Sequence, residues 1–273
     1  MPEESNIEIK DVSSLGQYIL NNKLITIIGE FHDSKHNCLG NTISIPEYCL
    51  YLASETPRIT FYLEVNKGID IERVLNGCIR EVAEALEDAG LGDRIVKYDV
   101  RKDFIGLDAQ QDLYSGDEEL NRVCLGNLAC FKRKYIDPFF RTKTRKINGQ
   151  EVNIYELDHP GLYVKGGKDY LENTFYPSMV SEFTELSRGL ESGNFKIRRE
   201  DLILRLRKLW KNVVDYFLLE EILRKDNPAD SIVVICGEFH AVTINKVLDK
   251  LGKKVFYQEN TKENQCARVR GVK

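Results

Sequence analysis

The sequence has no Cys-x-x-Cys pair, no Gly-x-Ser-x-Gly elbow, no Walker-type phosphate loop and no apolar run approaching a bilayer span. The first absence argues against a dithiol redox centre or a zinc knuckle. The second argues against a serine hydrolase of the usual α/β type. The Gly-Gly-Lys of Val164–Tyr170 lacks the Walker spacing and a clear preceding strand, so the third argues against a P-loop nucleotide site. The fourth predicts no membrane partner. The polar, acidic start "MPEESNIEIKDV" does not read as a signal peptide. Seven cysteines, an odd number without a secretory signal, are expected to be reduced thiols in a cytoplasmic protein. No repeat longer than four residues and no low-complexity tract is evident.

What is present suits an ordinary globular chain. The 273 residues are 42% hydrophobic and 30% charged. That is enough for one sizeable core. The net charge of −4 gives no global push toward nucleic acid. Leu24–Ile28, Ile59–Val65, Ile95–Val100 and Ile232–Cys236 are short runs rich in β-branched residues, the pattern of buried strands. Lys254–Gln258 is a weaker fifth. Helical periodicity alternates with them. Ile71, Val74, Leu75, Cys78, Ile79, Val82 and Leu86 form one stripe that Gly90 ends. Leu202 to Leu218 forms a second, which should stop before Asn227-Pro228. Ala241–Leu251 forms a third, closed by Gly252. The expected fold is α/β, a mostly parallel central sheet flanked by helices. Residues 1–106 and 201–273 would form this core. Residues 107–200 would form an insertion or cap, with helices around Glu118–Lys134 and Tyr170–Leu190 and a hairpin turning at Asn148-Gly149.

Two strand candidates end in the same tetrapeptide, Gly-Glu-Phe-His, at Gly29–His32 and Gly237–His240. The identity alone is weak; the shared context is harder to reach by accident. Glu30 and His32 follow the first run, Glu64 lies near the end of the second, Asp99 and Arg101 end the third, and Glu238 and His240 follow the late one. Ligands of open α/β sheets bind outside the carboxyl ends of the strands, where all seven residues would fall. Two imidazoles with carboxylates suit Zn, Mn, Fe or Co. Such a metal would lower the pKa of a bound water. Without metal, a His oriented by a Glu is a general base. Arg101 could hold an anionic group or an oxyanion. The glycine of each tag is expected to let the chain turn sharply off its strand.

Plainer readings stand beside these. A strand-end His is often a hydrogen-bonded loop residue. Asp99 and Arg101 could form only a structural ion pair. Glu64 at a buried strand end needs a partner, because an unpaired buried carboxylate is costly. His36, four residues after His32, invites comparison with the zinc-protease His-Glu-x-x-His, but Asp33 replaces the Glu and no clear helix holds the segment. His159, beside a Pro-Gly turn, could supply a third imidazole, although turn chemistry alone accounts for its neighbours.

Strand, Gly-x-x-His, an acid ending the next strand, then a distant strand with a second Gly-x-x-His: this order resembles the TIKI/TraB, ChaN and erythromycin-esterase-like superfamily of α/β proteins. The likeness rests on Leu24–Arg101 and Ser231–Leu251, with Glu30 and His32 in the first motif, Glu64 on the second strand and His240 in the second motif. It implies hydrolysis in two branches, by metal-dependent proteases and by esterases without an obligatory metal. The third branch includes haem-binding lipoproteins. The esterases have one more residue between Glu and His, and Leu107–Glu200 has no counterpart in the likeness.

The sequence therefore predicts a metal-dependent hydrolase of peptide or ester bonds. Glu30, His32, Glu64 and His240 would bind metal or activate water; Glu238, Asp99 and Arg101 would orient them or a small-molecule or peptide substrate. The alternative is a binding protein that holds a small molecule, haem or metal without turnover. A third reading comes from "FKRKYIDPFFRTKTRK", which interleaves basic residues with Phe131, Tyr135, Phe139 and Phe140. Such mixing can bind nucleic acid, though a solvated hairpin with an apolar foot explains it too, and the acidic total charge disfavours that partner.

Overall fold

Asn21 and Asn22 both adopt left-handed backbone, at φ 52° and 64°. Two such residues build the tight turn whose twist matches paired strands. They join β2 (Val12–Leu20) to β3 (Lys23–Glu30) as an antiparallel hairpin. The computed structural model describes residues 7–30, 38, 42–66, 77–99, 117–138, 140–147, 149–157, 163–192, 198–260 and 266–269. Contacts divide the chain into Met1–Asp99 with Asn227–Lys273, and Val100–Asp226.

The first unit is α/β. Its main sheet adds β5 (Ile59–Asn66), β6 (Ile95–Asp99), β9 (Ser231–Gly237) and β10 (Lys253–Glu259), in the order β10-β2-β3-β9-β5-β6. β3, β9, β5 and β6 run parallel, whereas β10 and β2 are antiparallel. The sheet is thus mixed rather than mostly parallel. The reason is local: a two-residue turn can only reverse the chain, and β2 escapes the sequence pattern because "VSSLGQ" is small and polar.

Helix α1 (Ile45–Glu55) begins with a capping box. Ser44 Oγ accepts from the Glu47 N–H at 3.3 Å, and Glu47 accepts from the Ser44 N–H at 2.6 Å. The helix packs with α2 (Cys78–Asp88) on one face of the sheet, around Leu15, Ile28, Phe61, Leu63, Val65, Val233 and Ile235. Ile71, Val74 and Leu75 of the expected stripe lie outside the described residues. Helix α7 (Glu238–Leu251) packs against β2, β3 and β9, and strand alternation puts it over the other face.

A small second sheet is formed by β1 (Ile7–Ile9), β4 (Thr42–Ile43) and β11 (Ala267–Val269), with β1 in the middle. Cys38 and Cys266 precede its two outer strands and are joined by a disulfide across 228 residues of sequence. The expectation of seven reduced thiols therefore fails for this pair; a bond between residues so far apart leaves no local spacing to read. Cys49, Cys78, Cys124, Cys130 and Cys236 are free thiols.

The second unit holds α3 (Asp117–Phe131), which widens into a π-helical stretch at Lys132–Ile136. A hairpin of β7 (Phe140–Ile147) and β8 (Gln150–Leu157) follows. Gly149 sits in its turn at φ 82°. That is the left-handed backbone an Asn-Gly turn requires. Then come α4 (Gly167–Tyr170), a π-helical stretch Leu171–Phe175, α5 (Tyr176–Glu191) and α6 (Arg199–Leu223). The core of this unit is aromatic. Trp210 takes the rings of Phe131 and Tyr135 edge-on, each at 5.3 Å between centroids. Edge-on contact sets the positive rim of one ring against the negative face of another. Helix α6 groups with this unit by contact, although sequence periodicity places residues 201–223 with the core. Its Trp210 is what ties it to α3. Among the described residues no helix is long and apolar enough to cross a membrane.

Candidate active site

The second tag is the start of a helix. Gly237 is the N-cap of α7, at φ −60° and ψ 154°, and Glu238, Phe239 and His240 form its first turn. Glu238 is half-buried at the first helical position. A carboxylate there complements the exposed N–H groups of the helix start. Phe239 is 74% exposed, while His240 is turned inward and buried.

Glu64 decides what His240 faces. Leu63 and Val65 point into the α1/α2 core, so the alternation of β5 sends Glu64 to the α7 face. There its Oε2 accepts a hydrogen bond from the Gly237 N–H at 2.8 Å, and its Oε1 lies 3.4 Å from His240 Nε2. Both side chains are nearly closed to solvent, at 5% and 7% exposure. The carboxylate thus neutralises the helix N-terminus and faces the imidazole at once. A carboxylate at Nε2 favours the tautomer with its hydrogen there, which leaves Nδ1 as the basic nitrogen.

The other acids divide by strand parity. Glu30 is buried at the end of β3 and sits opposite Gly237 in the β3–β9 register. It shares its face with Ile28, the face that α1 and α2 cover. Consistently, burial and then the Glu30 carboxylate push the Cys78 thiol of α2 well above the usual range. Asp99 is buried at the end of β6, opposite Asn66 and past an irregularity in the β5–β6 register. The described structure therefore brings Glu64 and His240 into contact, with Glu30 turned to the other face. His32, Arg101, His36 and His159 lie outside the described residues.

The glycines play a different part from the one expected. Gly237 has an ordinary extended backbone, and Gly29 is not among the residues with positive φ. A Cβ on Gly29 would lie 2.6 Å from both Ser13 Oγ and Ser14 Oγ and 2.9 Å from Ala241 Cβ. Gly29 is there because α7 presses against β3 and because the irregular register between Val12 and Ser14 brings both serine hydroxyls over it. The identical tags thus serve different local needs, close packing in one and a helix N-cap in the other.

Among the described residues no three of His, Cys, Asp and Glu gather closely enough to hold a metal ion. Sequence reasoning missed the Gly237 N–H as a partner of Glu64. The signal was available, since a glycine ending a buried strand before a helical stripe is a common N-cap. No protein-family model matches the chain, and no curated protein or solved structure matches it either.

Proposed function

We propose that the chain is a hydrolase of peptide or ester bonds in which His240, held by Glu64, is the general base. The observation that carries the reading is the Glu64 carboxylate, 3.4 Å from His240 Nε2 and fixed by the Gly237 N–H. In the proposed reaction His240 Nδ1 takes a proton from water as the oxygen attacks the acyl carbon. The imidazolium, stabilised by Glu64, then returns the proton to the leaving oxygen or nitrogen. Arg101 is the proposed cation for the oxyanion; Glu30, turned to the face that α1 and α2 cover, takes no part in the proposed step. The likeness of the tags to the TIKI/TraB, ChaN and erythromycin-esterase-like group supports this chemistry.

A divalent metal (Zn, Mn, Fe or Co) is the second reading, supported by the donor types of His32, His240 and Glu64, without Glu30, which faces α2. Such an ion would supply a water of lowered pKa. The contact of Glu64 with His240 fits a carboxylate that orients a ligand better than one that is itself a ligand. A cytoplasmic location is part of the proposal, supported by the five free thiols. The Cys38–Cys266 disulfide, of a kind rare in reducing compartments, is the observation against it.

A panel of fluorogenic esters and peptides tests the activity, run before and after exhaustive chelation with elemental analysis of both samples. Turnover that survives chelation supports the general-base reading; turnover lost with a stoichiometric metal supports the second. No turnover, with a small molecule or haem bound tightly, overturns both and leaves a binding protein.

A further inference from the structure

One bond stands apart from the rest of the cysteine chemistry, and the proposed hydrolysis does not use it. Cys38 and Cys266 are joined, while Cys49, Cys78, Cys124, Cys130 and Cys236 are free thiols. Five unpaired cysteines fit a compartment that keeps thiols reduced. In such a compartment a disulfide is usually transient, catalytic or redox-sensing rather than a permanent staple. Cys38 and Cys266 are both half-exposed, so a reductant can approach the bond. The joined residues tie two distant segments together instead of sharing a Cys-x-x-Cys turn, which favours sensing over dithiol catalysis.

The position of the bond decides what it controls. Cys38 shortly precedes β4 and Cys266 immediately precedes β11, the outer strands on either side of β1. β4 pairs with β1 over two residue pairs and β11 over three. Strands so short hold little by themselves. Cys266 stands on a firm post: Gln258 of β10 donates through Nε2 to the Cys266 carbonyl at 2.9 Å, and its Oε1 accepts from the Arg268 N–H at 3.0 Å. β4 is held by a further bond from the Lys10 N–H to the Ile43 carbonyl at 3.1 Å, and α1 begins directly after it at the Ser44 cap. Ile9 and Ala267 are completely buried in the core that α1 and α2 cover, and Ile43 packs against it. We infer that the Cys38–Cys266 disulfide is a redox switch, clamping the β11-β1-β4 sheet when formed and letting it open when a dithiol reductant cleaves the bond. One thiolate of the reductant attacks one Sγ, forms a mixed disulfide and releases the other cysteine, which takes up a proton. The reductant's second thiolate then attacks the mixed disulfide, frees the remaining cysteine and leaves the reductant oxidised. Two electrons and two protons pass to the chain. The inference is independent of any hydrolysis at His240.

Treating the native protein with dithiothreitol, without denaturant, tests it. Differential alkylation with peptide mapping follows the two cysteines, and amide hydrogen exchange is read over seconds to minutes. Cys38 and Cys266 should both become thiols while circular dichroism stays that of the folded protein. Amides of β1, β4 and β11 should then exchange faster by about tenfold or more, β4 the most, while those of β9 and α7 keep their protection in that window. Oxidised glutathione should close the bond again and restore slow exchange. The double variant Cys38→Ser, Cys266→Ser should exchange like the reduced protein and ignore the reductant. The inference is overturned if the bond resists dithiothreitol until urea unfolds the chain, or if reduction leaves exchange at β1, β4 and β11 unchanged. Loss of protection at β9 and α7 in the same window overturns it as well, because the bond would then be a staple of the whole unit.

Discussion

Glu64 bridges the first turn of α7 from a neighbouring strand, one carboxylate oxygen on the Gly237 N–H at 2.8 Å and the other 3.4 Å from His240 Nε2. This single side chain ties β5 to the junction of β9 and α7. Replacing it with Ala removes a cap acceptor and leaves a buried N–H and imidazole behind, at a cost of about 2–3 kcal/mol. Glu64→Gln keeps an acceptor for the N–H and should cost about half as much. Urea unfolding midpoints of the two variants check the order; equal stability in all three proteins would mean the bridge does not hold α7.

The disulfide makes a countable prediction. Unfolded without reductant, the chain should show five reactive thiols, and seven after reduction. In the folded state Cys49 and Cys78 should react very slowly, because burial pushes both thiols well above their ordinary range. Cys124, pushed up to about 11 by burial, should react slowly too. Cys38 and Cys266 close a loop spanning 228 residues. Replacing both by Ser should lower stability by about 2–5 kcal/mol in the chain-entropy account. Seven thiols in the unreduced unfolded chain would remove the bond from the account.

Close packing at Gly29 and Gly16 predicts a contrast among glycines. A Cβ at Gly16 would lie 2.1 Å from Asn245 Oδ1, and one at Gly29 would press on Ala241. Ala at either position should destabilise by about 1–3 kcal/mol through overpacking. Gly126, inside α3 with nothing within 4 Å of a built Cβ, should behave oppositely. Gly126→Ala should stabilise by about 0.5–1 kcal/mol. Thermal melts of the three variants separate the cases.

The capping box of α1 sets an acid-dependent term. Hydrogen bonds from the Ser44 N–H, and then from its hydroxyl, hold the Glu47 carboxyl below its ordinary value of 4.5. A carboxyl whose folded pKa is depressed stabilises the fold above its unfolded pKa, and that share is lost as pH falls through the folded value. Ser44→Ala should cost about 1 kcal/mol at neutral pH. The gap between wild type and variant should narrow as pH drops below 4.5. A gap that widens in acid contradicts the sign.

The strands most legible in the sequence are buried on both faces, although half-buried β6 and largely exposed β10 are read as well. β3, β5 and β9 read as continuous β-branched runs because helices cover the sheet above and below. β2 is illegible for the opposite reason: Ser13, Ser14, Gly16 and Gln17 are buried yet small or polar, and Gln17 finds the Tyr48 hydroxyl at 3.4 Å. Its turn is readable, since Asn21-Asn22 is a two-residue hairpin signal. Helix α1 is readable too, from Ser44 and Glu47 at capping-box spacing with Pro46 in the first turn. At the candidate site the residue types and the sheet edge are legible. The face is not, because a one-residue change of parity sends Glu30 to α2 and Glu64 to α7.

The central claim is that His240 moves the proton. Single-turnover hydrolysis of the best substrate from the panel, by wild type and by His240→Ala of matched circular dichroism and melting temperature, tests it most directly. Loss of a general base predicts a rate about 10²- to 10⁴-fold lower for the variant. Unchanged turnover in a folded His240→Ala protein would contradict it.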